Sequence, residues 1–317
     1  MRPIVNPSTP ENLTSTQVGL LGKIVRGPNG YRALWRLLFF GAIFWGLVYL
    51  AHFLFHFPLS MDEITPRIVA IVDGGAFFIA MVAALIMARI EKRSLADYGL
   101  PARGAFGRRF IEGIGWGIGS QCVTLGILGA TGSARIHGTD IHGAAAFYYA
   151  FAWGGAFVLL GLSEEFQFRG YTQFTMATGI GFWPAAFVLS GLFWASHMLN
   201  PAETWIGGLT TFLASMAYCV SLRLTGDLWF AIGLHAGWDW TETYLFGVAD
   251  SGFPAPGHLL HTTLAGPKWL TGGTVGPEAS IVEILVVLMV IVLTYLRFRH
   301  FLKPRSSDAR RIVVPVA

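Results

Sequence analysis

Charge is what this chain has least of. Asp, Glu, Lys and Arg make up only 13% of its 317 residues, against 54% hydrophobic, whereas a water-soluble globule carries about 25% charged residues. That deficit excludes an ordinary soluble domain and places the chain in a bilayer. Cysteine is nearly absent too, with two in all. Cys122 and Cys219 sit far apart inside apolar runs with no partner at metal-ligand spacing, which excludes a disulfide framework or a zinc knuckle and leaves both as packing residues. Internal repeats and low-complexity tracts are lacking. There is no basic, aromatic-laced surface segment of the kind that binds RNA, so nucleic acid is excluded as a partner.

What is present is a series of uncharged runs of bilayer length. They lie near Leu37 to Phe57, Ile68 to Arg89, Phe110 to Ala130, Ala144 to Leu162, Gly181 to Met198, Trp205 to Leu222, Leu228 to Phe246 and Ser280 to Leu296. The expected fold is therefore all-α, a polytopic transmembrane bundle of about eight spans. Basic residues alternate accordingly. Arg2, Lys23, Arg26, Arg32 and Arg36 precede the first run, Arg89, Lys92, Arg93, Arg103, Arg108 and Arg109 follow the second, and Arg297, Arg299, Lys303, Arg305, Arg310 and Arg311 follow the last. The intervening loops carry chiefly Arg67, Arg135 and Lys268. Under the positive-inside rule both termini face the cytoplasm, and the pI near 9.2 reports topology and anionic headgroups. The partner this implies is a lipid bilayer, as in a multi-pass protein of a bacterial inner membrane. The first run begins too far in for a cleaved signal peptide.

Along the chain this gives a cytoplasmic tail over 1–36, three spans over 37–143, a core of four spans over 144–246, a Gly- and Pro-rich outer loop over 247–279, and a last span with a basic tail over 280–317. No second soluble domain fits.

Against this apolar background a few charges stand out. "LSEEFQFRG" puts Glu164, Glu165 and Arg169 at the end of the fourth run, "FWASHMLNP" puts His197 near the end of the fifth, and "IGLHAGWDW" puts His235 and Asp239 in the seventh. A carboxylate at mid-membrane costs roughly 2.5 to 3.5 kcal/mol, so a pair of them calls for a function. Glu165 and Arg169, four apart with the acid first, share a helix face and neutralise each other. Glu164 points about 100° away and is free to face a cavity. Gly179, Gly181 and Pro184 mark a turn between the fourth and fifth runs. At 1.5 Å per residue Glu164 and His197 both fall roughly 22 to 24 Å from it, a common depth. His235 and Asp239 fall roughly 13 and 20 Å beyond Gly226. Glu164, His197, His235 and Asp239 are therefore expected around one buried cavity. His52 and His56 read as interfacial, and Asp73 and Glu112 as packing or snorkelling residues, Glu112 within reach of Arg108 or Arg109. His137, His142, His258, His261 and His300 fall in loops or the tail and carry no signal.

These residues resemble the intramembrane CAAX-type proteases and bacteriocin-processing enzymes grouped as the CPBP or Abi family. The motifs are EExxxR at Glu164–Arg169, FxxxH at Phe193–His197 and HxxxN/D at His235–Asp239, each on its own apolar run, and the likeness covers about Ala144 to Phe246. It implies an intramembrane endopeptidase (a hydrolase) acting on a peptide or membrane-protein substrate. In it Glu164 is the general base, with His197, polarising water. His235 and Asp239 assist at the oxyanion or orient the groups that do, and Glu165 and Arg169 organise the site from behind. The chemistry is sound, since water needs a positioned base to attack an amide and a donor aimed at the oxyanion supplies roughly 2.7 to 4 kcal/mol. The cleavage is expected near or within the cytoplasmic-side bilayer. Asp239, where asparagine would donate better, leaves three readings: a protonated acid, a group fixing the His235 tautomer, or a ligand in a cluster that binds zinc or another divalent ion. The lack of HExxH favours the metal-free reading. A non-catalytic scaffold, immunity or regulatory protein of the same fold is the alternative function. A transporter is disfavoured by the missing repeat halves.

Overall fold

The structure, a computed structural model, describes residues 25–27, 30–58, 64–200 and 202–302. The chain before residue 25 and the basic tail beyond 302 lie outside the described residues. The expected all-α membrane bundle is what the chain forms. Its long helices are α1 (Ala33–Phe55), α2 (Pro66–Glu91), α3 (Arg108–Ala130), α4 (Gly143–Arg169), α5 (Tyr171–Ile180), α6 (Phe182–His197), α7 (Trp205–Thr225) and α8 (Trp229–Trp240), followed by the four-residue α9 (Lys268–Thr271) and by α10 (Ile281–Phe298). The strands are minor. A two-residue pair, β1 (Arg26–Gly27) and β2 (Gly30–Tyr31), precedes α1, and an antiparallel ribbon joins β3 (Ala134–Thr139) to β4 (Leu260–Leu264).

All eight apolar runs fall on helices. Five helical stretches, Ala33–Phe55, Pro66–Glu91, Gly143–Ile180, Trp205–Thr225 and Ile281–Phe301, are long and apolar enough by themselves to cross a membrane. The other three fall short for separate reasons. α3 carries buried Ser120, Gln121 and Thr124 on its inner face, α6 has 16 residues, and α8 has 12 before passing into a π-helical turn, Thr241–Phe246. The outward faces are apolar, as a lipid solvent requires: Phe53, Phe55 and Phe151 are each at least 78% exposed. α1 is the extreme case. It buries little beyond Arg36, Phe40 and Val48.

The helix that carries His235 and Asp239 is the centre of the bundle, with every residue from Trp229 to Asp239 buried. Its position is set by glycine. Gly233 and Gly237 of α8 face Gly113 and Gly117 of α3, a small-xxx-small pattern on both partners that brings backbones together. A Cβ at Gly233 would lie 2.1 Å from the Phe110 carbonyl oxygen and one at Gly237 2.4 Å from that of Ile114. In return, a Cβ at Gly113 or Gly117 would lie 2.3 Å from the carbonyl oxygens of Phe230 or Leu234. Nothing larger fits. On the opposite side Gly161 lets α4 approach Ile232 of α8.

Ion pairs, partly buried, fasten the end of the bundle where the basic loops lie. Arg36 on α1 pairs with Glu91 on α2, which also accepts hydrogen bonds from the hydroxyls of Tyr98 (2.9 Å) and Tyr171 (2.5 Å). Arg109 pairs with Asp227. Glu112 does not pair with Arg108 or Arg109, as expected from spacing along one helix, but with Arg297 of α10, whose Nε and Nη2 donate to it at 2.6 and 3.0 Å. The bidentate fit of a guanidinium arriving from a neighbouring helix is the better geometry.

Candidate active site

α4 ends at Arg169, and the chain bends at Gly170, where any Cβ would meet the Phe166 carbonyl oxygen at 2.3 Å, before resuming as α5. The last turn of α4 therefore lies inside the bundle. Glu165 and Arg169 are both fully buried, and the guanidinium Nη1 donates to Glu165 Oε1 at 3.2 Å. The rest of that guanidinium is held by rings: its carbon lies 4.3 Å from the centroid of Phe193 and 5.3 Å from that of Tyr218. Such cation–π contact contributes most where water is excluded.

Glu165 has a second role that the spacing did not reveal. Its Oε1 also accepts from His235 Nδ1–H at 2.9 Å, which orients the imidazole and leaves Nε2 facing inward. The Tyr218 ring stacks on that imidazole, centroids 5.2 Å apart and nearly parallel. Nε2 then lies 3.6 Å from Glu164 Oε2 and 3.7 Å from Asp239 Oδ2. Glu164, rotated off the Arg169 face as helix geometry demands, keeps a quarter of its side chain accessible. That access is into a cavity.

The cavity has a volume of about 260 Å³. Glu164, His197, His235 and Asp239 all line it, so the four residues expected together from sequence share one wall system. They are not equally close. Glu164, His235 and Asp239 form a tight group, whereas His197 sits across the cavity, stacked on Phe193 (4.5 Å) with its Nδ1 2.9 Å from the Phe193 carbonyl oxygen. Phe193, the first residue of the FxxxH motif, thus has three neighbours of consequence: Arg169, His197 and, at 6.5 Å, His235.

Three further residues belong here. Asn200, just past α6, lines the cavity and offers the carboxamide that position 239 lacks. Asp73 on α2 does not snorkel: it is buried, and close enough to Glu164 and His235 to interact with both electrostatically. Its Oδ2 has no hydrogen-bond partner, as is also true of Asp239 Oδ2. The third is Glu242 in the π-helical turn, a local geometry that often marks functional sites. It is fully buried with both carboxylate oxygens unpartnered, and forms a group with Asp250 and Glu278 whose ligand atoms all lie within 4.8 Å of one another. Asp250 and Glu278 line the cavity as well. This acidic wall is suited to a cation, whether a metal ion or a protonated amine.

The catalytic candidates themselves do not close to metal-ligand spacing. Among the described residues the groups that do are Glu242–Asp250–Glu278 and Asp140–His258–His261. Glu164, His197, His235 and Asp239 are arranged around open space in the cavity, not around a single point.

The cavity also lies at one end. Its lining draws on Ile64 and Val69 at the start of α2, Ser196 to Asn200 at the end of α6, Thr210 and Thr211 near the start of α7, and Asp250, Ser251, Phe253 and Glu278 of the long loop. The basic loops lie at the other ends of the same helices. The cavity and the basic loops thus lie at opposite ends of these helices.

A helical membrane bundle with a carboxylate, two imidazoles and an acidic wall around one recessed cavity has the features of an intramembrane hydrolase. Comparison with known families agrees: the model described as "Type II CAAX prenyl endopeptidase Rce1-like" matches residues 146–241, the stretch that holds Glu164 through Asp239. Over that stretch the chain is similar to that family, which supports the fold of a CAAX-type intramembrane protease. A search of curated proteins finds no match.

Proposed function

We propose that the protein is an intramembrane endopeptidase that hydrolyses a membrane-associated peptide with water activated by Glu164. The observation that carries this reading is the convergence of Glu164, His197, His235 and Asp239 on one cavity from α4, α6 and α8. Glu164 takes the proton from water and passes it to the leaving amine. His235, held through Nδ1 by Glu165, presents Nε2 to Glu164 and, as the imidazolium, orients that carboxylate with its Nε2–H. Across the cavity His197 and the Asn200 carboxamide are placed to donate to the oxyanion. Asp239, which cannot donate when ionised, faces the same Nε2 of His235 as Glu164 does.

The substrate approaches from the bilayer. Trp194, Met198, Leu199 and Trp205 form an exposed apolar rim beside His197, with Leu199 89% exposed, and the cavity wall itself mixes Ile64, Val69, Phe157 and Leu160 with the polar groups. With eight spans and both termini cytoplasmic by the positive-inside rule, the cavity opens toward the outer face, and the peptide bond cut lies in the outer half of a bacterial inner membrane.

The experiment is comparative proteomics of membranes from cells carrying the wild type or Glu164→Gln. A membrane peptide cleaved in the wild type alone supports the reading. Identical peptide inventories from equally abundant proteins would refute it.

A further inference from the structure

Four of the nine histidines, His137, His142, His258 and His261, gather at the β3–β4 ribbon, away from the cavity. The ribbon pairs Ala134 with Leu264 through Ile136 with Thr262, then loses register before Thr139 meets Leu260. Immediately past that irregularity the Asp140 amide donates to the Leu259 carbonyl at 2.9 Å. This turns the Asp140 carboxylate toward two imidazoles that come from the other end of the chain. A single oxygen, Oδ2, faces His258 Nε2 at 2.5 Å and His261 Nδ1 at 3.3 Å. One ligand atom from each of the three residues lies within 4.8 Å of the others. His137 is next to them, its ring centroid 5.5 Å from that of His261.

We propose that Asp140, His258 and His261 form a zinc-type divalent metal site on the face of the bundle where the cavity opens. Two imidazole nitrogens and one carboxylate oxygen are a donor set for zinc, with a fourth tetrahedral position left to water or to His137. The three side chains are partly exposed, at 23%, 38% and 50% for His258, Asp140 and His261, so an ion reaches them without opening the fold. Aspartate and histidine are 121 residues apart in the case of His261, and an ion held between them would fasten the loop after α3 to the long loop after α8. That link extends inward. His258 packs against Gly247, and the next amide, Leu259, donates to the carbonyl of Tyr244 at 2.6 Å, within the π-helical turn that carries Glu242. The ion would stiffen the loop that roofs the cavity.

The test uses full-length protein in detergent, stripped with chelator and titrated with zinc against a chromophoric competitor, alongside Asp140→Asn and His258→Gln. The wild type should bind zinc and unfold at a higher temperature with it. Each variant should bind at least a hundredfold more weakly and lose the thermal shift. Cobalt(II) should give the visible absorption of a tetrahedral site in the wild type only. Because asparagine and glutamine preserve size and hydrogen bonding, both variants should match the stripped wild type in helical circular dichroism, so that loss of fold is not mistaken for loss of ligand. Stripped wild type that takes up no zinc, or variants that bind it as tightly as the wild type, would overturn the proposal.

Discussion

Substituting Gly237 by alanine tests the placement of the reactive helix without touching a reactive group. The new Cβ would lie 2.4 Å from the Ile114 carbonyl oxygen and 3.0 Å from its Cα, both backbone atoms. No side chain can rotate out of the way, so α3 and α8 must separate by about 1 Å to restore ordinary contact. Overpacking of this kind costs about 1 to 3 kcal/mol. The larger effect is on geometry, because His235 and Asp239 flank Gly237 by two residues on each side, and a misplacement of about 1 Å can lower a rate by roughly 10²-fold. Gly119 on α3 is the control. A Cβ there meets nothing within 4 Å, and alanine in an open helical position is favoured by about 0.5 to 1 kcal/mol over glycine. Thermal unfolding in detergent and Glu164-dependent cleavage should therefore fall together in Gly237→Ala and hold or improve in Gly119→Ala. Wild-type stability and turnover in Gly237→Ala would refute the claim that bare backbone contact positions the site.

Three other outcomes follow from particular contacts. Arg169→Gln leaves Glu165 as a buried carboxylate without its cation, a change that costs about 3 to 5 kcal/mol, and Arg169→Lys should recover only part because lysine cannot spread over Phe193 and Tyr218; folded yield after detergent extraction reads both. Asn200→Ala should lower kcat by about 10²-fold with little change in KM, the signature of a donor used only in the transition state, whereas a change confined to KM would mark Asn200 as a binding residue. Burial, and then the Glu278 carboxylate, push Asp250 up to about 8. The folded state thus keeps a proton that the unfolded chain has already lost, and stability declines as pH rises from about 4 to about 8. Asp250→Asn should flatten that decline in unfolding temperature, and an unchanged slope would count against it.

The bundle was legible because a bilayer leaves so few alternatives: every apolar run became a helix. Glu164, His197, His235 and Asp239 were legible because charge is too costly in lipid to be incidental, and helical rise gave Glu164 and His197 a common depth. What stayed hidden depended on partners from elsewhere in the chain. The spacing of Glu165 to Arg169 gives their ion pair but not the His235 bond that the same oxygen accepts. Gly113, Gly117, Gly233 and Gly237 are visible as small-residue pairs, yet nothing local says which helix each pair meets. Asn200 and Tyr218 carry no charge and gave no signal, and Glu112 found Arg297 through tertiary packing instead of its own helix neighbours. Asp140, His258 and His261 are the clearest case, since each is an unremarkable loop residue until a two-stranded ribbon joins their loops.

The most direct measurement is peptide cleavage by purified protein in liposomes, wild type against Glu164→Gln, on the peptide that the membrane proteomics identifies. Glutamine keeps the shape and hydrogen bonding of the side chain but cannot take a proton from water, so turnover should fall by about 10² to 10⁴-fold while the unfolding temperature stays at the wild-type value. Undiminished cleavage by Glu164→Gln would contradict the account.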